Sequence, residues 1–392
     1  MDRVIRQKFQ VQFNYNISFT RGVFDLNNPL LSRVLDSGNP NKKAKAVVVL
    51  DKGMFACHPG LIRDIKAYFQ SCCPDIELMG EALLLQGGEG VKNNWTAVEK
   101  VLHLVNQEKI DRHSYVIAIG GGAVLDLVGF ASAIAHRGVQ IIRIPTTVLS
   151  QNDSGVGVKN SINYFDKKNF LGTFQPPFAV INDQVFLTTL SDRDWRSGIS
   201  EAIKVALIKD LAFFEWIEDN VDLLRSRNLD CMNQLIFTCA QLHTEHIAQG
   251  DPFEKGSSRP LDFGHWAAHK LEYLSNYKLL HGEAVAIGIL VDSCYSHYLG
   301  YLTAEDLERI LNCFKNLGFD LTCSELFDPE DKNSINPALI QGLEEFREHL
   351  GGELTIVLLQ KIGQGQEVHQ MQVPLLQQSV QKMLSFEKQE GL

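Results

Sequence analysis

YVIAIGGGAVLDLVGFASAIAHRGVQIIRIPTT, spanning Tyr115–Thr147, decides the fold of the first half of the chain. An uninterrupted apolar run, YVIAIG, meets a triple-glycine turn at Gly120–Gly122. A helix-forming stretch, AVLDLVGFASAIAHRG, follows, and a second apolar run, VQIIRIP, closes the unit. Short apolar runs without alternation belong to strands buried on both faces. Strand–helix–strand with glycine turns makes a mostly parallel sheet with helices on its faces.

Working outward, the same alternation holds upstream. KAVVVLD (Lys45–Asp51) is a buried strand ending in an acid, IELMGEALLLQGGEG runs from Ile76 to Gly90, and WTAVEKVLHLVNQEKID (Trp95–Asp111) is amphipathic at helical spacing. The N-terminal MDRVIRQKFQVQFNYNISF alternates like a strand. Downstream of FAVINDQVFLTTLSDRDW (Phe178–Trp195) the pattern changes. From Gly198 the apolar spacing is helical through ISEAIKVALIKDLAFFEWIEDNVDLL, CMNQLIFTCAQLHTEHIA and AVAIGILVDSCYSHYLGYL, and only ELTIVLLQ reads as a further strand. The expectation is α/β plus all-α: a Rossmann-like parallel-sheet nucleotide-binding domain over 1–190, then a helical metal- and substrate-binding domain over 191–392.

With 392 residues the chain is long for one core. A net charge of −10 argues against a nucleic-acid or anionic-membrane surface, which needs a basic face, although a pocket can be locally basic. The first residues lack the apolar core of a signal peptide, and no apolar run is long enough to span a bilayer. Eight cysteines (57, 72, 73, 231, 239, 294, 313 and 323) show no CxxC pair, as expected of reduced, mostly buried thiols. The expectation from these features is a cytoplasmic protein.

Three clusters carry chemistry. In the first, GGGAVLD lets backbone approach a pyrophosphate whose charge a helix N-terminus favours, though without the G-x-G-x-x-G spacing. The loop Gly87-Gly88-Glu89 with Lys92, and the strand-end Asp51, belong with it. Asp51 can accept from ribose hydroxyls or cap a helix, and the sequence leaves both open. The second cluster joins Asp153, Lys159, Asn163, Lys168 and Asn169 with Ser154, Gly155 and Gly157. Lysine charges, oriented amides and glycine backbone suit a phosphate, and the flanking Val156, Val158, Phe170, Leu171 and Phe174 favour a lined pocket over a solvated loop. In the third, Glu201 and Lys204 lie one helical turn apart, and His265 and His269 share a face at i,i+4, with His281 nearby. Glu201 with two histidines would supply three metal ligands and leave an open position.

Together these segments resemble the dehydroquinate synthase superfamily, the sugar phosphate cyclases, over about Lys45–Leu359. IPTTVLSQNDSGVGVKNSIN, KKNFLGTF, ISEAIK, FGHWAAH and LHGEAVAIG occur in the order of the family's motifs. The resemblance implies that Glu201, His265 and His281 bind zinc or cobalt. It implies an NAD site at Asp51, Gly88, Glu89, Lys92, Gly121, Gly122, Asp126, Thr146, Thr147, Lys159, Lys168 and Thr189. It implies that Asp153, Lys159, Asn169, Lys204, Arg259 and His269 act on a phosphorylated seven-carbon sugar. Arg137 would cross a homodimer interface toward the phosphate. The implied reaction oxidises a ring hydroxyl transiently, eliminates phosphate, returns the hydride and closes the ring.

Three positions depart from the dehydroquinate-forming pattern: Asp262 replaces an asparagine, a lysine is lost near Thr244 in LHTEH, and FREHLGG puts Glu348 or His349 where a cation is expected. A carboxylated substrate is disfavoured by such changes and a neutral-headed one such as sedoheptulose 7-phosphate favoured, although Arg259 could still hold a carboxylate. A glycerol-dehydrogenase-like polyol oxidoreductase is the alternative enzyme, and a sensor with the same fold the non-enzymatic one.

Overall fold

The computed structural model describes residues 3–35, 43–165, 167–249, 252–253, 260–349 and 352–389. The chain divides into two units, Met1–Pro145 with Val158–Asn182, and Thr146–Gly157 with Asp183–Leu392. Thr146–Gly157 therefore groups with the later, helical part although residues of the first unit follow it.

The first unit is built on strands β1 (Asn16–Thr20), β2 (Ala44–Asp51), β3 (Ile76–Leu78), β4 (Leu83–Leu85), β5 (Tyr115–Gly120), β6 (Gln140–Pro145), β7 (Lys159–Tyr164), β8 (Lys167–Phe174) and β9 (Ala179–Asp183). Its main sheet has the order β1-β9-β6-β5-β2-β3, with β4 also on β2. β2 pairs in parallel with β3, β4 and β5, and β6 in parallel with β5 and β9. Val47, Val49, Val116 and Ala118 of the sheet pack with Val98 and Val101 of the Trp95–Gln107 helix and Leu125 and Val128 of the Gly122–Ile134 helix. After β2 the chain goes to one side, to β3 and β4, and then to β5 on the other. The carboxyl ends of β2 and β5 are thus the point where strand order reverses, the place where open α/β sheets bind ligands. β7 and β8 form a separate antiparallel hairpin. The buried Arg143 of β6 donates from Nη2 to the Lys159 carbonyl at 3.1 Å and to Asn160 Oδ1 at 2.6 Å. Of the described residues of the alternating N-terminal stretch, only those within Asn16–Thr20 form a strand, and Ile5 and Phe9 before it are exposed.

In the second unit the helices Asp192–Lys209 and His281–Tyr298 are the spine. Gly282 and Ala284–Ser296 are buried without a break, as in a helix packed on all sides. The ELTIVLLQ strand is present as β10 (Ile356–Lys361), paired antiparallel with β11 (Gln364–Val368), whose polar sequence had given no strand signal. No described helix is long and apolar enough to cross a membrane. All eight cysteines are free thiols.

Candidate metal centre and nucleotide loops

Glu201 enters from the middle of the Asp192–Lys209 helix, His265 from the first position of the His265–Leu274 helix and His281 from the first position of the His281–Tyr298 helix. Local sequence explains the meeting. Glu283 Oε2 accepts the Leu280 N–H at 2.9 Å, which starts the last helix at His281. Gly282 lies so close to the Glu201 helix that an added Cβ would stand 1.8 Å from the Ser197 carbonyl. The glycine of LHGEAVAIG is therefore what lets His281 approach Glu201.

Each imidazole is aimed by its other nitrogen. His265 Nδ1–H donates to the Phe263 carbonyl at 3.1 Å, and His281 Nδ1–H donates to the buried Glu272 Oε2 at 3.1 Å. Both Nε2 atoms then turn to Glu201 Oε1, at 3.6 Å from His265 and 3.4 Å from His281. Glu201 is 0% exposed, and its Oε1 accepts no well-formed hydrogen bond. One carboxylate and two imidazole ligand atoms within 4.8 Å of one another, converging on a buried carboxylate oxygen, fit a divalent cation with nitrogen and oxygen preference. Burial, with Lys204 and the neighbouring histidines behind it, holds the His265 imidazole well below its ordinary value, so its lone pair is free for a metal. Burial opposes a charge on His281, but Glu272 and Glu201 outweigh it and raise that group to about 10.

Around this centre lies a ring of charge. Lys204 is buried and ion-paired with Glu201 Oε2. Burial disfavours its charge, yet Glu201, Asp153 and Asp262 raise it above the ordinary lysine value. Despite burial, Glu201 is lowered to about 2, chiefly by Lys204. Asp153 sits in a π-helical turn, Ser150–Ser154, tied down by Asn152 Nδ2 donating to the Gly198 carbonyl at 2.7 Å. It is held below the usual carboxylate range against burial and the nearby Glu201, by His243 and Lys204. His243 Nδ1 lies 2.9 Å from Asp153 Oδ1. Near the lost lysine of LHTEH, the Thr244 hydroxyl donates to the Ala240 carbonyl of its own helix at 2.8 Å, and His243 reaches Asp153. His269 stacks on His281 with ring centroids 6.1 Å apart. Arg259 and the His349 side chain lie outside the described residues, and Glu348 is exposed.

The nucleotide elements of the first unit are organised differently. Asp51, at the end of β2, caps the helix that follows it, accepting from Gly53 N at 2.8 Å and Met54 N at 3.2 Å. An added Cβ at Gly87 would fall 2.4 Å from Asp51 Oδ2, and Gly88 has φ +85° with open space where a Cβ would go. Gly88, exposed with open space at its Cβ, and Gly121, preceding the Gly122–Ile134 helix, put glycine backbone just past the carboxyl ends of β4 and β5, which fits a pyrophosphate. Lys92 is buried and donates to Asp126 Oδ2 at 2.7 Å and to Asn169 Oδ1. Ser161 Oγ also donates to Asn169 Oδ1, at 2.8 Å, while Asn163 Nδ2 reaches Glu89 Oε1 at 3.2 Å. Glu89, Lys92, Asp126 and Asn169 are therefore one network. Lys159 and Lys168 lie on the β7–β8 hairpin, Lys159 exposed and Lys168 half-buried. Arg137 is exposed, in a left-handed turn at φ +65°. Thr146, Thr147 and Thr189 belong to the second unit, where the Thr147 N–H donates to Ser150 Oγ at 3.1 Å and Thr189 Oγ1 to the Phe186 carbonyl at 3.4 Å.

Comparison with known proteins bears on the same segments. Residues 82–197 match the 3-dehydroquinate synthase N-terminal family and residues 198–339 the 3-dehydroquinate synthase C-terminal family. The chain belongs to the 3-dehydroquinate synthase family. A 3-dehydroquinate synthase of Nitrosospira multiformis is 37% identical over 282 residues, 72% of this chain and 74% of that one. Among solved structures, the 2-epi-5-epi-valiolone synthase of Streptomyces hygroscopicus subsp. jinggangensis, with NAD+ and Zn2+ bound, superposes with a TM-score of 0.85 at 25% identity, covering 97% of this chain and 100% of that one. A 2-deoxy-scyllo-inosose synthase, with carbaglucose-6-phosphate, NAD+ and Co2+, gives a TM-score of 0.75 at 20% identity over 93% of this chain and 96% of that one. A parallel-sheet domain followed by a largely helical one is the fold this family member shares with the valiolone synthase.

Proposed function

We propose that this member of the 3-dehydroquinate synthase family is a sugar phosphate cyclase that uses NAD catalytically and a divalent metal, zinc or cobalt, at Glu201, His265 and His281. The observation that carries the reading is the buried Glu201 carboxylate whose Oε1 faces two pre-aimed imidazoles, in a chain that belongs to the 3-dehydroquinate synthase family. When bound, NAD accepts and returns a hydride, and the metal polarises the transient ketone and holds substrate hydroxyls. The NAD site is proposed at Asp51, Gly88, Glu89, Lys92, Gly121, Gly122, Asp126, Thr146, Thr147 and Thr189, with Lys159 and Lys168 shared with the phosphate.

The chain's own residues supply the rest. Lys204, kept charged by Glu201 and Asp153, is a fixed cation for negative charge that develops on a substrate oxygen. Asp153, kept ionised, accepts a hydroxyl proton donor and orients it. Lys159, Lys168 and Asn169 bind the phosphate, joined by Arg137 from a second copy in a homodimer, and Arg259 and His269 contact the sugar. The departing phosphate can take the acidified C–H proton itself.

For the substrate, the proposal is a heptulose 7-phosphate with a neutral head, sedoheptulose 7-phosphate, going to a valiolone-type ketone. Asp262 contributes negative charge close enough to raise Lys204. An added carboxylate in a confined site repels a carboxylated substrate and accepts from a hydroxymethyl group. Likeness to the valiolone synthase supports this reading, and the 37% identity to a 3-dehydroquinate synthase supports the acid instead. The deciding experiment incubates the protein with NAD, zinc and each heptulose phosphate, following phosphate release and product mass. Phosphate release without accumulation of NADH supports the cyclase; NADH growing in step with substrate loss replaces it with a polyol dehydrogenase. Asp262→Asn should shift the turnover ratio toward the carboxylated sugar.

A further inference from the structure

We propose that Asp292 is a positioning residue for the metal centre, fixing the start of the His265 helix on the helix that carries His281 and so setting the separation of the two imidazoles. This rests on the metal reading of Glu201, His265 and His281. Asp292 lies on the His281–Tyr298 helix and is 0% exposed. Its Oδ2 accepts the Gly264 N–H at 3.0 Å and its Oδ1 accepts the Trp266 Nε1–H at 2.9 Å. The two donors flank His265 in sequence, one on each side.

The same place is a backbone-to-backbone contact. Gly264 has φ +77°, and a Cβ on it would lie 2.6 Å from the Ile289 nitrogen; a Cβ on Gly288 would lie 2.0 Å from the Gly264 carbonyl oxygen. The chain from Phe263 to Trp266 is thus clamped to the helix by Gly288 beneath it and Asp292 beside it. His265 Nδ1 donates to the Phe263 carbonyl within that clamped segment. The direction of His265 Nε2 therefore follows from where the segment is held.

The packing chemistry says that Asp292 is an expensive way to fill this space. No cation among the described residues pairs with it, and burial pushes the carboxyl up to about 7 despite the two hydrogen bonds. An apolar side chain of similar size would avoid that desolvation. A carboxylate alone of the side chains of this size offers an acceptor on both oxygens; an asparagine would turn an N–H toward one of the two donors. What the carboxylate secures is geometry.

The test separates metal binding from folding. Zinc affinity is measured by chelator competition and metal-free stability by urea unfolding, both near neutral pH, for wild type, Asp292→Asn, Trp266→Phe and Glu201→Ala. Asp292→Asn is expected to weaken zinc binding about tenfold, as loss of outer-sphere partners does, while metal-free stability stays level or rises. Trp266→Phe, which removes one donor, is expected to weaken zinc binding less. Unchanged zinc affinity in Asp292→Asn overturns the proposal, as does a loss of affinity matched by an equal loss of stability. If the Asn variant does not fold, unchanged affinity in Trp266→Phe overturns it. Wild-type zinc binding by Glu201→Ala would instead remove the metal site itself.

Discussion

The metal centre and the nucleotide loops present opposite solutions to holding a cofactor. At Glu201 the polar atoms are buried and pre-aimed: Oε1 faces two Nε2 atoms, and both imidazoles are locked through Nδ1. In the loops of the first unit the polar groups already satisfy one another. Asp51 caps a helix, and Lys92 is shared between Asp126 and Asn169. A buried carboxylate held ionised beside two pre-aimed imidazoles offers a cation a ligand set that is already assembled. A satisfied network costs nothing while empty and must exchange partners when a ligand enters. The first arrangement makes tight, geometry-sensitive binding, and the second makes binding that depends on open backbone space.

Glu201→Ala should break the comparison at its strong end. Phosphate release should fall by at least about a thousandfold, since the ligand set that polarises the ketone is lost. The variant leaves Lys204 buried without its partner and should lose about 3–5 kcal/mol of stability in denaturant unfolding. Full turnover in this variant in the presence of chelator would end the metal assignment.

A pH profile tests whether the second unit holds its unfavourable charge where the geometry puts it. Asp292 titrates near 7 in the folded protein, above the ordinary carboxylate, so folding favours its protonated form. Its contribution is complete below about pH 4 and disappears as pH rises from about 4 to 7, a change of about 4 kcal/mol. The difference in unfolding free energy between wild type and Asp292→Asn should therefore move against wild type across that interval. A difference independent of pH would place the titration elsewhere.

Glu272→Gln sharpens the contrast at intermediate size. It keeps the shape beside His281 but removes the carboxylate that orients the ring, and zinc affinity should fall about 10- to 100-fold. NAD binding, measured by fluorescence titration, should not change. Gly87→Ala is the counterpart in the first unit and the smallest effect expected. Its methyl would meet the Asp51 carboxylate, disturbing the helix cap at about 1 kcal/mol and weakening NAD by a similar factor, with zinc affinity untouched. Equal effects of both variants on both ligands would erase the distinction between the two regions.

Much of this was legible from local pattern. YVIAIG and VQIIRIP declared buried parallel strands because uninterrupted apolar residues suit a strand covered on both faces. The helical spacing after Gly198 declared the second unit because burial repeats each turn. The spacing of ISEAIK, FGHWAAH and LHGEAVAIG offers Glu201 and histidines as candidate ligands, and the resemblance implies Glu201, His265 and His281, whose ligand atoms the fold brings within 4.8 Å of one another. The sequence leaves Asp51 open between ribose acceptor and helix cap, and its Oδ1 accepts from Gly53 and Met54 as a cap does.

Other features depend on contacts between residues distant in sequence, which periodicity does not encode. The grouping of Thr146–Gly157 with the helical unit is one, and it carries Asp153 with it. His243 rather than Thr244 meets Asp153 because the rotation of a helix about its axis is set by what packs on it, not by the identity of the lost lysine. The Asp292 bond to Trp266 joins two helices through residues far apart in the chain, and neither helix's own spacing announces it. The polar strand β11 exists because β10 offers it a backbone ladder. Sequence determined the element types, the chemistry of the ligands and their order, since these follow from side chains and near neighbours. Tertiary structure decided which polar atoms are satisfied and which are left for a ligand, since burial and hydrogen-bond pairing are properties of the packed chain.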